Sequence, residues 1–319
     1  MKIANTIGFA VSVILILSIS VWMPVMGPFF SLAIPLPFLF YFCKLEMKEG
    51  LINGAITLFI VALLGKMTGQ SYLFLFCLEF GIVGLVISEL FKRQLPIGAT
   101  IFWGTAAMLF MGVVFLFLSE IPKGRETVDI ILGHLRADMN KMVELSQQSG
   151  YEQGKIDQIK QGLDSWFNWI TRLYPAIIIV GTGLVVWINV ILSKSVFRIG
   201  RLSYPDFGDV TRWRAPEFLV WGIIGSGFAL FLPSAGIKFV AENLLAVLAV
   251  IYVFQGLSIL MFFFNSHGVP RWARIMMYFL VVLQRIFLVL LALVGLFDHW
   301  ADFRKIRKKI DLSRSDVQD

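Results

Sequence analysis

Three side chains stand where an apolar surrounding makes them expensive. Glu79 lies within the apolar run 72–90, Gln255 midway through the run 239–265, and Arg285, beside Gln284, midway through the run 275–297. A carboxylate, amide or guanidinium in such a place either hydrogen-bonds to a neighbouring element and fixes packing, or faces a ligand or ion pathway. Both readings stay open for Glu79, Arg285 and Gln255, and for Asn53 and Asn189 nearer the ends of their runs. Counted along straight helices, Glu79 is about 10 Å and Arg285 about 15 Å below the start of its run. An arginine side chain can bridge that difference, so the two are expected to share the protein interior.

Little else in the chain suggests a reaction. There is no phosphate-binding loop, no G-x-S-x-G elbow, no H-E-x-x-H helix and no paired-cysteine motif. Cys43 and Cys77 sit singly in apolar runs, and His134, His267 and His299 are scattered. Asp298, His299 and Asp302 bring three possible metal-binding side chains within five residues, but a solvated helix end has the same composition. The expectation is a non-enzymatic chain with no catalytic residue, no metal and no cofactor.

The elements that must position these residues follow from composition. Of 319 residues, 58% are hydrophobic and only 15% charged, with 30 phenylalanines, against roughly 25% charged in an ordinary soluble domain. So few charges cannot cover a water-facing globule. The class is an all-α integral membrane protein. Apolar runs fall at 6–23, 29–43, 51–64, 72–90, 96–118, 174–192, 218–232, 239–265 and 275–297. The run 29–43 carries Pro35 and Pro37 and is expected to be kinked or partly unwound. The run 6–23 follows Met1-Lys2 like the core of a signal peptide, but no small-x-small site precedes the next run. It is read as the first membrane helix.

Charge arbitrates between eight and nine spans. Lys92 and Arg93, then Lys194, Arg198, Arg201, Arg212 and Arg214, then Arg304, Lys305, Arg307, Lys308, Lys309 and Arg314 form three basic clusters, and all three favour the cytoplasm. Eight transmembrane helices satisfy them if the glycine-rich run 218–232 is a short element that enters and returns; nine would separate the last two. The net charge of +7 then belongs to cytoplasmic loops, and no nucleic-acid partner is called for. The lipid bilayer is the first partner, in a bacterial cytoplasmic (inner) membrane.

Between the fifth and sixth runs lies the polar insert 119–173. Val128, Ile131, Leu132, Leu135, Met139, Met142 and Val143, and then Ile156, Ile159, Leu163, Trp166, Phe167 and Ile170, recur at helical spacing. They describe an amphipathic helical pair, which serves as a cap, a lid over a cavity or a docking hairpin. The loop 193–217 mixes Arg212, Trp213 and Arg214 with further aromatics, as suits a headgroup layer or a cytoplasmic partner's docking surface. Ala4, Gly8 and Ser12, four residues apart, form a small-residue face on the first helix that lets a partner helix approach.

The stretches Tyr204-Pro205-Asp206-Phe207, Thr211-Arg212-Trp213-Arg214-Ala215-Pro216-Glu217, Val269-Pro270-Arg271 and Gly295-Leu296-Phe297-Asp298-His299-Trp300-Ala301-Asp302-Phe303-Arg304 resemble the YybS-like bacterial membrane proteins, a family without an assigned activity. The amino-terminal half is also similar in layout to the substrate-binding subunits of energy-coupling-factor (ECF) vitamin transporters, which are six-helix bundles. That likeness implies a partner interface on Ala4, Gly8 and Ser12. The organisation expected is a six-helix transporter-subunit-like bundle over 1–192 that includes the insert, carboxy-terminal membrane helices over 193–297, and a basic cytoplasmic tail over 298–319. The function expected is a transporter-like subunit that binds a small-molecule ligand among its helices, with separate energising partner subunits. The alternative is a structural or assembly protein of the cell envelope.

Overall fold

The computed structural model describes residues 3–23, 26–118, 125–149 and 151–305. Most of the basic tail, including Arg307, Lys308, Lys309 and Arg314, lies outside the described residues. Those described form helices α1 (Ile3–Trp22), α2 (Gly27–Ser31), α3 (Pro35–Lys44), α4 (Met47–Met67), α5 (Tyr72–Lys92), α6 (Ile97–Leu118), α7 (Arg125–Gln148), α8 (Gln153–Ile199), α9 (Leu219–Ala229), α10 (Ala235–Ser266), α11 (Arg271–Leu283) and α12 (Arg285–Ala301), with a 3₁₀ turn at Val210–Arg212 and no strand. Seven helical stretches are long and apolar enough to cross a membrane, and eight if α11 and α12 together make one bent span. The run 218–232 supplies only α9, at 11 residues too short to cross, so nine full spans are not found. The amphipathic pair is present as α7 and the first part of α8. The second of these helices runs unbroken into the next span, so that α8 has 47 residues. The chain divides into two compact units, 1–130 with 181–207 and 131–180 with 208–319. The boundary therefore falls within α8 and assigns most of the insert to the same unit as the carboxy-terminal helices.

In the first unit, the second span breaks where its prolines dictate. Pro35 and Pro37 have no N–H to donate, and the chain turns at residues 32–34 between α2 and α3. The break leaves the Leu32 carbonyl in need of a donor. Asn189, fully buried on α8, supplies one: its Nδ2 donates to Leu32 O at 2.7 Å and to Val185 O at 2.8 Å. Phe9, Phe38 and Phe42 form the adjoining core. α5 comes close to α3 at Gly84, where a Cβ would sit 2.6 Å from Phe38 Cβ and 2.9 Å from Pro35 O. Asn53, also fully buried, accepts from Thr6 Oγ1 and donates to Glu49 O at 2.8 Å.

One end of this unit gathers Lys44, Lys48, Lys92, Arg93, Lys194, Arg198 and Arg201, since α3, α5 and α8 finish there and α4 begins there. Ring contacts of Phe197 with Phe40 and Phe91 tie these helix ends together. At the opposite end the described cations are fewer, Lys66 at the close of α4 and Arg125 at the start of α7. By the bias of Lys and Arg toward the cytoplasmic side, an impermeant thiol reagent applied to intact cells should label Thr68→Cys and leave Arg201→Cys unlabelled. The reverse pattern would invert the unit.

In the second unit, Pro175 lies inside α8. It lacks an N–H, and its ring crowds the preceding turn. Asn243 of α10 repairs the site: its Oδ1 accepts from Ala176 N at 2.9 Å and its Nδ2 donates to Arg172 O at 2.9 Å. One amide thus bridges the two backbone groups that flank the proline, and Arg172 pairs with Glu242 beside it. Asn243→Leu should lower stability by about 1–3 kcal/mol, the cost of leaving buried backbone polar groups unmade. Thermal unfolding of the purified protein in detergent would measure it.

α10 and α12 pack antiparallel with their backbones touching. A Cβ on Gly256 would overlap the Leu291 carbonyl, and one on Gly295 would overlap the Tyr252 carbonyl. Only glycine permits this approach, which is a small-residue crossing of the kind membrane helices use. The run 275–297 is not the straight span expected. α11 and α12 meet at 103° with Gln284 in extended conformation between them. Arg285 is therefore not midway down a helix but the exposed first residue of α12, and a depth counted along a straight span does not apply to it.

Candidate functional site

The close crossing of α10 and α12 builds a buried ionic cluster in the second unit. Asp298 is 0% and Arg304 5% exposed. Past α12 the chain turns through Asp302, whose φ is +42°, and Arg304 folds back so that its Nη2 donates to Asp298 Oδ2 at 2.8 Å. The Arg304 Nη1 donates to Thr211 O at 2.8 Å, Trp213 O at 3.0 Å and Ser258 Oγ at 3.0 Å. Arg214 pairs with Asp302, and its Nε lies 3.5 Å from Asp298 Oδ2. Gln255 joins the same cluster. Its Nε2 donates to Asp298 Oδ2 at 3.3 Å and its Oε1 accepts from Ala215 N at 3.1 Å. The Phe303 amide occupies Asp298 Oδ1 at 3.0 Å. Two arginines and two aspartates balance, and the cluster clamps the loop 209–216 against α10.

Chemically this arrangement is a latch. Both oxygens of Asp298 already accept from protein donors, which leaves the carboxylate poorly placed to hold a metal or relay a proton. Among the described residues no three His, Cys, Asp or Glu side chains are grouped to hold a metal ion. His299 stacks edge-on against Trp300 instead.

The aromatic-basic loop divides between the units. In the first, Tyr204 donates to Val190 O at 2.8 Å and meets Phe91 and Phe207 edge-on; burial pushes its hydroxyl pKa up to about 12. In the second, Asp209 caps the 3₁₀ turn. Its Oδ1 accepts from the hydroxyl and amide of Thr211 at 2.7 and 2.9 Å, which holds the carboxyl below its usual range. Of the three loop residues singled out in the sequence, Arg212 stays at the surface, Trp213 is half-buried and Arg214 turns into the latch.

The remaining candidates fall in different surroundings. Gly8 is packed within the chain, where a Cβ would overlap the Tyr41 hydroxyl; Ala4 is exposed and Ser12 half-buried. Glu79, half-buried on α5, faces Gly112 of α6, where a Cβ would sit 3.8 Å from Glu79 Oε1. Glu79 belongs to the first unit and Arg285 to the second. Sequence reasoning weighed Gln255 and Arg214 separately. It missed that Asp298, Asp302, Arg304 and Ser258 complete their set, although four of these six residues stand in the motifs that carried the family resemblance.

Helices that cross a membrane seven or eight times, bound within one unit by a buried ionic latch, define a multi-pass α-helical membrane protein. Within that class the chain belongs to the family described as Predicted membrane protein (DUF2232), which matches residues 10–299. It is similar to the Uncharacterized protein YybS of Bacillus subtilis (strain 168), with 22% identity over 283 residues, 87% of this chain and 89% of that protein. No solved structure matches the chain.

Proposed function

We propose that the protein is a non-enzymatic, transporter-like subunit of the bacterial cytoplasmic membrane, which binds a small ligand at Glu79 between α5 and α6. The observation that supports this is how the intramembrane polar groups sort. Asn53 accepts from Thr6 of α1, and Asn189, Asn243 and Gln255 each donate to a neighbouring element, with the buried Asn189 Oδ1 alone among these amides left without a described partner. Glu79 makes no ion pair or hydrogen bond with the described residues, and Gly112 leaves room beside its carboxyl. A carboxylate in a membrane span costs stability and is kept there for a pathway or a ligand. The chemistry that answers it is a cation or a ligand bearing hydrogen-bond donors. Energy would come from separate partner subunits, in keeping with the ECF-like layout and the missing phosphate-binding loop.

Two measurements test this. A hydrophobic carbodiimide, which modifies carboxyl groups in apolar surroundings, should label Glu79 in proteoliposomes and fail on Glu79→Gln. Glu79→Leu should raise the melting temperature, because it removes an insertion cost of about 3 kcal/mol, and should abolish the small molecule that native mass spectrometry finds on the parent. A lower melting temperature with unchanged small-molecule content would make Glu79 a packing residue and end this reading.

A second reading, an envelope assembly protein, has its own support. Where α7 meets the amino-terminal part of α8, Met139 and Ile156 are buried, while Ile131, Met142, Leu145, Trp166 and Trp169 are exposed. If that face docks a partner, Met142→Glu with Leu145→Glu should strip co-purifying proteins without lowering the melting temperature.

A further inference from the structure

We propose that α11 lies flat in the lipid headgroup layer, as an amphipathic connector between the membrane-crossing helices α10 and α12, and that α12 alone completes the last span. α10 and α12 pack antiparallel, Gly256 on Leu291 and Gly295 on Tyr252, so the end of α10 and the start of α12 lie at the same side of a helical hairpin. α11 makes the link between them and meets α12 at 103°. If α12 follows the membrane normal, α11 lies nearly in the membrane plane.

Its two faces agree with that placement. One face is held by protein. Val281 is buried, Tyr278 meets the Phe264 ring, and Arg274 caps the end of α10 by donating to Val269 O at 2.7 Å, Phe264 O at 3.1 Å and Asn265 Oδ1 at 2.7 Å. The other face exposes Trp272, Ile275, Met276, Phe279, Val282 and Leu283. Its occupant is the bilayer, because this face is covalently continuous with the lipid-facing side of α12, where Ile286, Val289, Leu293 and Phe297 are exposed in turn. Helices of this composition sit with the apolar face about 5–10 Å into the headgroup–acyl boundary.

The position of the break supports the same conclusion. Neither proline nor glycine is present at the corner; the residues there are Gln284 and Arg285, both exposed. One straight helix from Arg271 to Ala301 would set Arg285 near the bilayer centre, where a charged side chain is costly. Bending at the polar pair puts both side chains at headgroup level. The 17 residues of α12 span about 25 Å at 1.5 Å per residue, which reaches the short end of membrane-crossing lengths.

Nitroxide labels test the proposal. They are placed singly at Ile275, Met276, Phe279 and Val282, and at Val289 and Leu293, in full-length protein with Cys43→Ala and Cys77→Ala, reconstituted in phosphatidylcholine–phosphatidylglycerol vesicles. Depth is read from relative collision rates with oxygen and with a water-soluble nickel chelate. The four α11 labels should report one shallow depth, and the α12 labels should lie deeper. A depth that increases steadily from Ile275 through Val282 would restore a straight span. Full accessibility of all four to the nickel chelate would place α11 in water. Either result overturns the proposal. Parent-like melting temperatures of the labelled proteins establish that each measurement reports the folded chain.

Discussion

Asp298→Asn is expected to destabilise the protein by about 3–5 kcal/mol, because it strands buried arginine charge. Arg304 is buried with its guanidinium on Asp298 Oδ2 at 2.8 Å, and Arg214 lies against the same oxygen. Asparagine keeps the size of the side chain and can still accept one hydrogen bond, so the loss is that of the charge. Two features separate this from a surface ion pair, which is worth about 0–1 kcal/mol. The loss should persist at high salt, because a buried pair is screened little. The double variant Asp298→Asn, Arg304→Gln should also cost less than the sum of the single changes. Thermal and denaturant unfolding in detergent would measure all three proteins. A loss below about 1 kcal/mol, or strict additivity, would show that the cluster is not the latch described above.

The second large effect falls on the helix crossing. Gly295→Ala adds one methyl group, yet that methyl would overlap the Tyr252 carbonyl and sit 2.9 Å from Gly256 N. Backbone cannot yield as a side chain can. α10 and α12 must move apart, and Gln255 then loses its reach to Asp298. A loss of about 3 kcal/mol is expected from overpacking, and Gly295→Leu should prevent stable folding. Gly225→Ala on α9 is the control. No atom beyond its own helical turn lies within 4 Å of the added methyl, so it should be neutral or stabilise by up to about 1 kcal/mol through helix propensity. Equal melting temperatures for Gly295→Ala and the parent would show that the two helices do not touch in the membrane.

Much of the fold was legible in the residues themselves. The apolar runs mark the spans because unpaired backbone groups cannot be left in hydrocarbon, and a long apolar stretch has the helix as its answer. Pro35 and Pro37 announce the break in the second span because a missing N–H acts locally. The shortness of 218–232 marks a helix below the usual membrane-crossing length. These inferences need no knowledge of neighbours. The bend at Gln284 escaped the reading of 275–297 because neither proline nor glycine marks it, and the polar pair Gln284-Arg285 could equally have been met by a partner inside a straight span. The site was legible only in fragments. Gln255, Arg214 and Asp298 each look costly or suspicious alone, and a sequence shows what burying each would cost but not what offsets it.

The sequence by itself determined the class of the protein: membrane-embedded, all-helical, with a helical insert and a family tie carried by residues 204–217 and 295–304. Only the tertiary structure decided which polar groups the protein satisfies for itself. Gln255 meets Asp298 across 43 residues of chain, Arg304 meets Thr211 across 93, and Asn243 reaches the backbone around Pro175 from another helix. Glu79 meets none. The physical reason is that a helix presents several faces of nearly equal apolarity. Which face turns inward is chosen by close packing at particular places, such as Gly256 against Leu291 and Gly295 against Tyr252. Those contacts join residues far apart in the chain, where periodicity carries no information.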